Sequence, residues 1–154
     1  YKKLQLDVLT TYSYGANIYA AWKPNGLGRI GYRFAQLEEY VQNRWTGPGT
    51  TNVYPRAIAS ETFNTRNSTR FLEDASFIRL RALTLGYLLP EFTVRKLKVS
   101  QIRLFAQVDN LFLWTKYSGW DPEVNTNLDP RFSGIDALNN PQPRTYSIGA
   151  NISF

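Results

Sequence analysis

Asp121, Glu123 and Asp129 fall in one short stretch, and carboxylates so grouped could hold Ca²⁺ through oxygen ligands. They lack the alternating acids followed by Gly that a calcium loop requires, so they read as a turn in which Asp121-Pro122 stops the preceding strand. Trp45, Trp114, Tyr117 and Trp120 could stack on sugar rings. Trp114 also fits an interfacial girdle, and Tyr117 and Trp120 fit the packed base of a loop. Arg79, Arg81 and Arg103 could line a polar lumen or pair with acids of neighbouring strands, such as Asp7. Gly26 to Gly31 spells G-x-G-x-x-G, but it neither follows a buried strand nor opens a helix, which excludes dinucleotide binding. The chain has neither His nor Cys, so a Ser/His or Cys/His nucleophile and a thiolate metal site are impossible. Catalysis, a bound metal and a cofactor are not expected.

The elements that carry these residues are strands. The stretch from Thr145 to Phe154 alternates strictly: Tyr146, Ile148, Ala150, Ile152 and Phe154 share one face, and Thr145, Ser147, Gly149, Asn151 and Ser153 share the other. One face is wholly apolar, the other small or polar, and no charge interrupts the run. A soluble fold seldom leaves such a strand as a free edge. A transmembrane β-barrel needs it, because its outer face meets lipid while its inner face meets water or a plug. The run also matches the roughly 9–11 residues of a tilted spanning strand. The aromatic terminus on the apolar phase resembles the carboxy-terminal assembly signal of bacterial outer-membrane proteins.

Three earlier stretches repeat the pattern. Residues 4–18 place Leu4, Leu6, Val8, Thr10, Tyr12, Tyr14, Ala16 and Ile18 on one face, with Leu9 as the exception on the other. A second strand is expected over 76–89, where the phase of Ile78 and Leu80 differs from that of Leu83, Leu85, Tyr87 and Leu89. One inserted residue near Ala82, a bulge, accounts for the change. A third runs from Ile102 through Leu104, Ala106 and Val108 to Phe112 and Trp114. Residues 90–100 read as a modest basic connection. Residues 19–74 and 116–143 read as long loops, the first with a short helix over roughly 33–44.

Composition agrees with this division. The net charge of +6 is spread over 18 scattered basic residues, so nucleic acid is not an expected partner. A mean hydropathy of −0.37 is no objection to a barrel, whose strands are only half apolar. Absence of Met, together with a start inside a strand-like pattern, points to a piece of a longer polypeptide. Long, short and long connections join the four strands in order; barrels put long loops outside and short turns in the periplasm, so the carboxy-terminus falls on the periplasmic side. Four strands cannot close a barrel, which needs about eight, and open edges in lipid are not viable.

The residues resemble one family in order along nearly the whole chain. Ser68 to Arg81 (STRFLEDASFIRLR), Leu85 to Pro90 (LGYLLP), Asp109 to Val124 (DNLFLWTKYSGWDPEV) and Pro141 to Tyr146 (PQPRTY) look like the carboxy-terminal strands of SusC/RagA-type TonB-dependent transporters. Asn43 to Thr46 with Pro55-Arg56 is similar to the loop before them.

The resemblance implies an all-β fold: an antiparallel transmembrane β-barrel segment, the last four strands of a barrel of about 22 closed over a plug. It implies the outer membrane of Bacteroidota, with membrane lipid, the plug and the remaining strands around this segment. A SusD-like surface lipoprotein would act as lid, the TonB complex as energy source, and an oligosaccharide or peptide as cargo. On that reading Trp45, Tyr117, Trp120, Asp121 and Glu123 are candidate loop contacts to lid or substrate, and Tyr146, Ile148, Ala150, Ile152 and Phe154 carry assembly and lipid contact. The alternative is a soluble β-sandwich that binds glycans through exposed aromatics, with Ile148, Ile152 and Leu104 tucked inside.

Overall fold

The structure, a computed structural model, describes residues 3–27, 35–59, 63–124 and 133–154. In chain order its elements are β1 (Leu4–Ser13), β2 (Asn17–Ala20), α1 (Lys23–Gly26), α2 (Glu38–Asn43), β3 (Leu72–Asp74), β4 (Phe77–Leu88), α3 (Glu91–Lys96), β5 (Gln101–Thr115), β6 (Ile135–Asp136) and β7 (Thr145–Ser153). They fall into two compact units. One comprises residues 3–16, 75–116 and 141–154, the other 17–74 and 117–140.

The first unit is a four-stranded antiparallel sheet in the order β1-β4-β5-β7. Its register puts like residues opposite like. Leu4, Tyr87, Leu104 and Ala150 form one cross-strand rung; Leu6, Leu85, Ala106 and Ile148 form the next; Val8, Leu83, Val108 and Tyr146 form a third. Directly opposed side chains share a face, so these rungs build one continuous apolar surface. The intervening rungs are polar or small except for Phe105: Gln5, Gly86, Phe105 and Gly149, then Asp7, Thr84, Gln107 and Ser147.

The bulge lies where the phase change requires it. Register shifts between Leu80 and Ala82 against both neighbours, with Arg81 the inserted residue against β1. Between the Val8 and Thr10 rungs, β4 carries one residue more than β1, and β5 one more than β4. Asn110, in β5 at this level, takes a φ of 53° and donates from Nδ2 to the Pro143 carbonyl at 3.0 Å. Beyond the bulge the same face continues with Thr10, Leu80 and Phe112, then Tyr12, Ile78 and Trp114.

Three expectations are corrected. The first strand stops at Ser13 rather than reaching Ile18, because Gly15 turns the chain at a φ of 74°; Ile18 is 1% exposed in the core of the other unit. The basic connection over 90–100 contains α3. Pro90 caps it, Glu91 sits in its first turn and Arg95 and Lys96 in its last, an arrangement that complements the helix dipole. The helix expected over 33–44 is α2, which begins at Glu38; residues 28–34 lie outside the described residues.

The stretches read as loops fold into the second unit. β2 pairs antiparallel with β3 and parallel with β6. Leu27, Tyr40 and Phe71 form its buried cluster, with Tyr19, Leu37 and Tyr54 packed against it. Tyr19 meets Phe71 edge-on at 6.2 Å between ring centroids, and Tyr40 meets Tyr54 at 5.9 Å.

Candidate functional site

The apolar face of the four-stranded sheet is the first candidate. Ile148 is 91% exposed, Tyr146 69%, Leu6 63%, Ile152 51% and Leu104 46%. Leaving a large apolar side chain in water forgoes about 1.5–3 kcal/mol each. Whole domains are stable by only about 5–15 kcal/mol, so a surface of this extent has to meet something other than water. The positions that a soluble sandwich would bury are the exposed ones.

The face has margins. Tyr12, Tyr14, Phe112 and Trp114 cluster at one end, all exposed, with Phe112 and Trp114 ring centroids 5.6 Å apart. Tyr87 and the 93%-exposed Phe154 lie toward the other. From the Tyr12 rung to the Ile102–Ile152 rung the strands run roughly 34 Å at about 3.4 Å per residue. At a tilt near 40° that is about 26 Å, close to the height of a barrel's apolar band. Ala150, the smallest member of the expected set, is also exposed.

The opposite face carries a network of polar contacts. Arg103 Nε donates to Gln5 Oε1 at 2.8 Å, and its Nη2 lies 3.6 Å from Asp7 Oδ2, so the expected pairing with Asp7 is present. Thr84 Oγ1 donates to Gln107 Oε1 at 3.3 Å, and Gln107 Nε2 donates to Asp109 Oδ1 at 2.8 Å. The Arg103 guanidinium covers Gly86: a Cβ there would stand 2.8 Å from Nη2. Arg79 is 2% exposed, its guanidinium 5.9 Å from the Phe77 ring centroid.

The second unit holds the loop candidates, and they part company. Tyr117 is 5% exposed; its hydroxyl donates to Asp136 Oδ2 at 2.7 Å and accepts from Trp22 Nε1 at 3.3 Å. Burial pushes its phenol well above the ordinary tyrosine range, and Asp136 pushes it further. Asp121 is 1% exposed, and its Oδ1 accepts from the Glu123 N–H at 2.9 Å, closing a turn. Glu123 is half-buried. Trp120 is the exposed member, at 62%. Trp45 lines an open cleft of about 580 Å³ with Asn52, Val53, Tyr54, Pro55, Arg56 and Arg70. The Arg70 guanidinium lies 5.2 Å from the Tyr54 ring centroid. Among the described residues no group of three or more His, Cys, Asp or Glu is placed to hold a metal ion, and Asp129 lies outside them.

One cluster had no signal in sequence. Lys23 Nζ lies 2.6 Å from Glu73 Oε1, and Ser118 gives Glu73 two further donors, its N–H at 3.0 Å and its hydroxyl at 2.9 Å. Burial alone would raise the Glu73 carboxyl; Lys23 and Ser118 outweigh it and hold the group below the usual glutamate range. The three residues come from stretches far apart in the chain, so no spacing advertises them.

No family model matches the chain. Among curated proteins, TonB-dependent receptor P3 of Formosa agariphila is 33% identical over 117 residues, which cover 73% of this chain and 11% of that receptor. TonB-dependent receptor SusC of Bacteroides thetaiotaomicron is 36% identical over 85 residues, 54% of this chain and 8% of that protein. Among solved structures, the RagAB peptide importer in its closed-closed state matches 100% of this chain and 16% of its own, at 26% identity and a TM-score of 0.79. The chain thus spans a small part of the length of each relative. Sequence and fold agree: the chain belongs to the SusC/RagA-type TonB-dependent transporters, as a stretch of their antiparallel barrel sheet.

Proposed function

We propose that these strands are the last four of a barrel of about 22 that sits in the bacterial outer membrane and imports an oligosaccharide or peptide. The TonB complex drives uptake, acting through parts of the polypeptide outside this chain, and a SusD-like lipoprotein closes the mouth. The observation that supports this best is the apolar face itself, unbroken across β1, β4, β5 and β7 and without a core of its own. Peptide cargo has the added support that RagAB, to which the chain is similar, is a peptide importer.

On this reading Tyr146, Ile148, Ala150, Ile152 and Phe154 meet lipid and direct assembly, with the carboxy-terminus in the periplasm. The stretches 19–74 and 116–143, most of whose residues fall in the second unit, are extracellular. Trp120, by its exposure, and Trp45, by its cleft, are the members of the loop set best placed to touch the lid or the cargo. Tyr117, Asp121 and Glu123 act behind them, holding the loop in shape.

Cysteine placed singly at 147, 148 and 104 in the full-length transporter tests the central point. Labelling by a lipid-soluble aryl azide, irradiated in native membranes so that it loses dinitrogen and its nitrene reacts with the thiol, is expected at 148 and 104 and not at 147. Labelling of all three by a water-soluble maleimide from outside the bilayer would overturn the reading.

A further inference from the structure

α3 is a single short helical turn system, yet it is anchored and its exposed side is chemically mixed. Val94 is 5% exposed, and α3 packs against β5, where Ile102 is 8% exposed. Ile102 pairs with Ile152 and shares the outward phase of Leu104 and Ala106. The connection carrying α3 therefore lies against the Ile102 end of the last outward rung, at the margin of the apolar side of the sheet, and leaves Ile152 half exposed.

What α3 leaves uncovered is an aromatic and a large aliphatic side chain. Phe92 is 70% exposed and Leu97 59%. Arg95, Lys96 and Lys98 stand among them, all exposed. Lys96 Nζ lies 4.1 Å from the Phe92 ring centroid, so a cation and an apolar ring share one patch. Glu91 is the acid of this turn. Its contact with Arg95 is long, 3.7 Å, with the two side chains 83% and 86% exposed, and pairs of that kind contribute little. The segment has the composition of an interfacial helix: apolar groups for the acyl boundary, cations for what lies just above it.

We propose that α3 is a lipid-binding site, in which Arg95, Lys96 and Lys98 meet the phosphates of anionic phospholipids while Phe92 and Leu97 enter the acyl boundary. The site rests on the reading that the apolar sheet face meets lipid, and it continues that face rather than opening a new one. Its occupants are phospholipids of the leaflet at the short-connection end of the strands. Attraction of this sort scales with the number of cations near the surface and weakens with salt.

The test uses the full-length transporter in nanodiscs made of phosphatidylcholine alone or with phosphatidylglycerol, carrying an environment-sensitive fluorophore on cysteine at 92 or at 148. Brominated phospholipid is expected to quench both labels. The label at 92 is expected to be quenched more strongly when phosphatidylglycerol is present, and the triple variant R95Q/K96Q/K98Q is expected to lose that increment. Quenching at 148 is expected to be unchanged by lipid charge and by the triple variant, which also reports that the barrel is folded. A label at 92 that stays in water while 148 is quenched overturns the site alone. Equal quenching at 92 in both lipids overturns the recognition of headgroup charge. Absence of quenching at either position removes the apolar-face reading together with the site.

Discussion

The outer edge of the Phe105 ring sits over Gly149, its neighbour on β7, so closely that a Cβ at residue 149 would stand 2.5 Å from the ring's Cζ. Both belong to the polar face of the sheet, where the ring covers backbone that no side chain of residue 149 could cover. G149A must push the ring aside, and overpacking of this type costs about 1–3 kcal/mol. The full-length transporter carrying G149A is expected to show a smaller heat-modifiable, folded fraction on gels, and F105A in the same protein is expected to restore it. A fraction unchanged by G149A would show that the ring moves freely.

The two faces of β7 should respond oppositely to charge. Ile148 stands near the middle of the apolar band, where an Arg costs about 2–4 kcal/mol when it faces lipid. I148R is expected to reduce the assembled transporter in outer-membrane fractions severely, and S147R, one residue along and on the polar side, is expected to be tolerated. Equal losses from the two substitutions would contradict the assignment of faces.

Glu73 should make the second unit sensitive to acid. Its folded-state value is depressed, so its contribution is fully present above the usual glutamate range of about 4.3 and is lost as pH falls through the depressed value. Protease protection of this unit is expected to weaken at low pH in the native protein. In E73Q the weakening is expected to disappear, with protection at neutral pH reduced by about 1.5–3 kcal/mol for the lost charged hydrogen bonds. Identical acid profiles for the two proteins would remove Glu73 as the cause.

Tyr117 should matter through its hydroxyl, not its ring alone. Y117F leaves Asp136 Oδ2 and Trp22 Nε1 without that partner inside the unit, a deficit of about 1–3 kcal/mol. Thermal scans with proteolysis at intervals are expected to show earlier cutting in the second unit. The phenol remains protonated well beyond its ordinary range, so no change in protection is expected between neutral pH and the ordinary tyrosine value.

How much of this was written in the residues depended on repetition. Strand phase repeats every second residue, so the rungs of Leu6 and Ile148, and even the inserted residue beside Ala82, could be read without coordinates. The second unit offered no such rhythm. Its strands are four, three and two residues long, too short for a period to declare itself. Ile18 continued the outward phase of β1 in letters, and only the backbone turn at Gly15 takes it off the exposed face of the sheet. Tyr117 and Asp121 belong to residue types that carry chemistry, but their burial comes from packing. One partner of Tyr117, Trp22, lies 95 residues away, a distance over which spacing carries no information.

The residues gained at one level by β4 over β1 and by β5 over β4 have a geometric consequence. β4 passes the bulge line one residue longer than β1, and β5 one longer than β4, so the ends beyond it climb in two steps like a ramp. Such a displacement adds to the stagger that strands must accumulate around a cylinder before it can meet itself. Two local irregularities thereby contribute to the pitch of the wall.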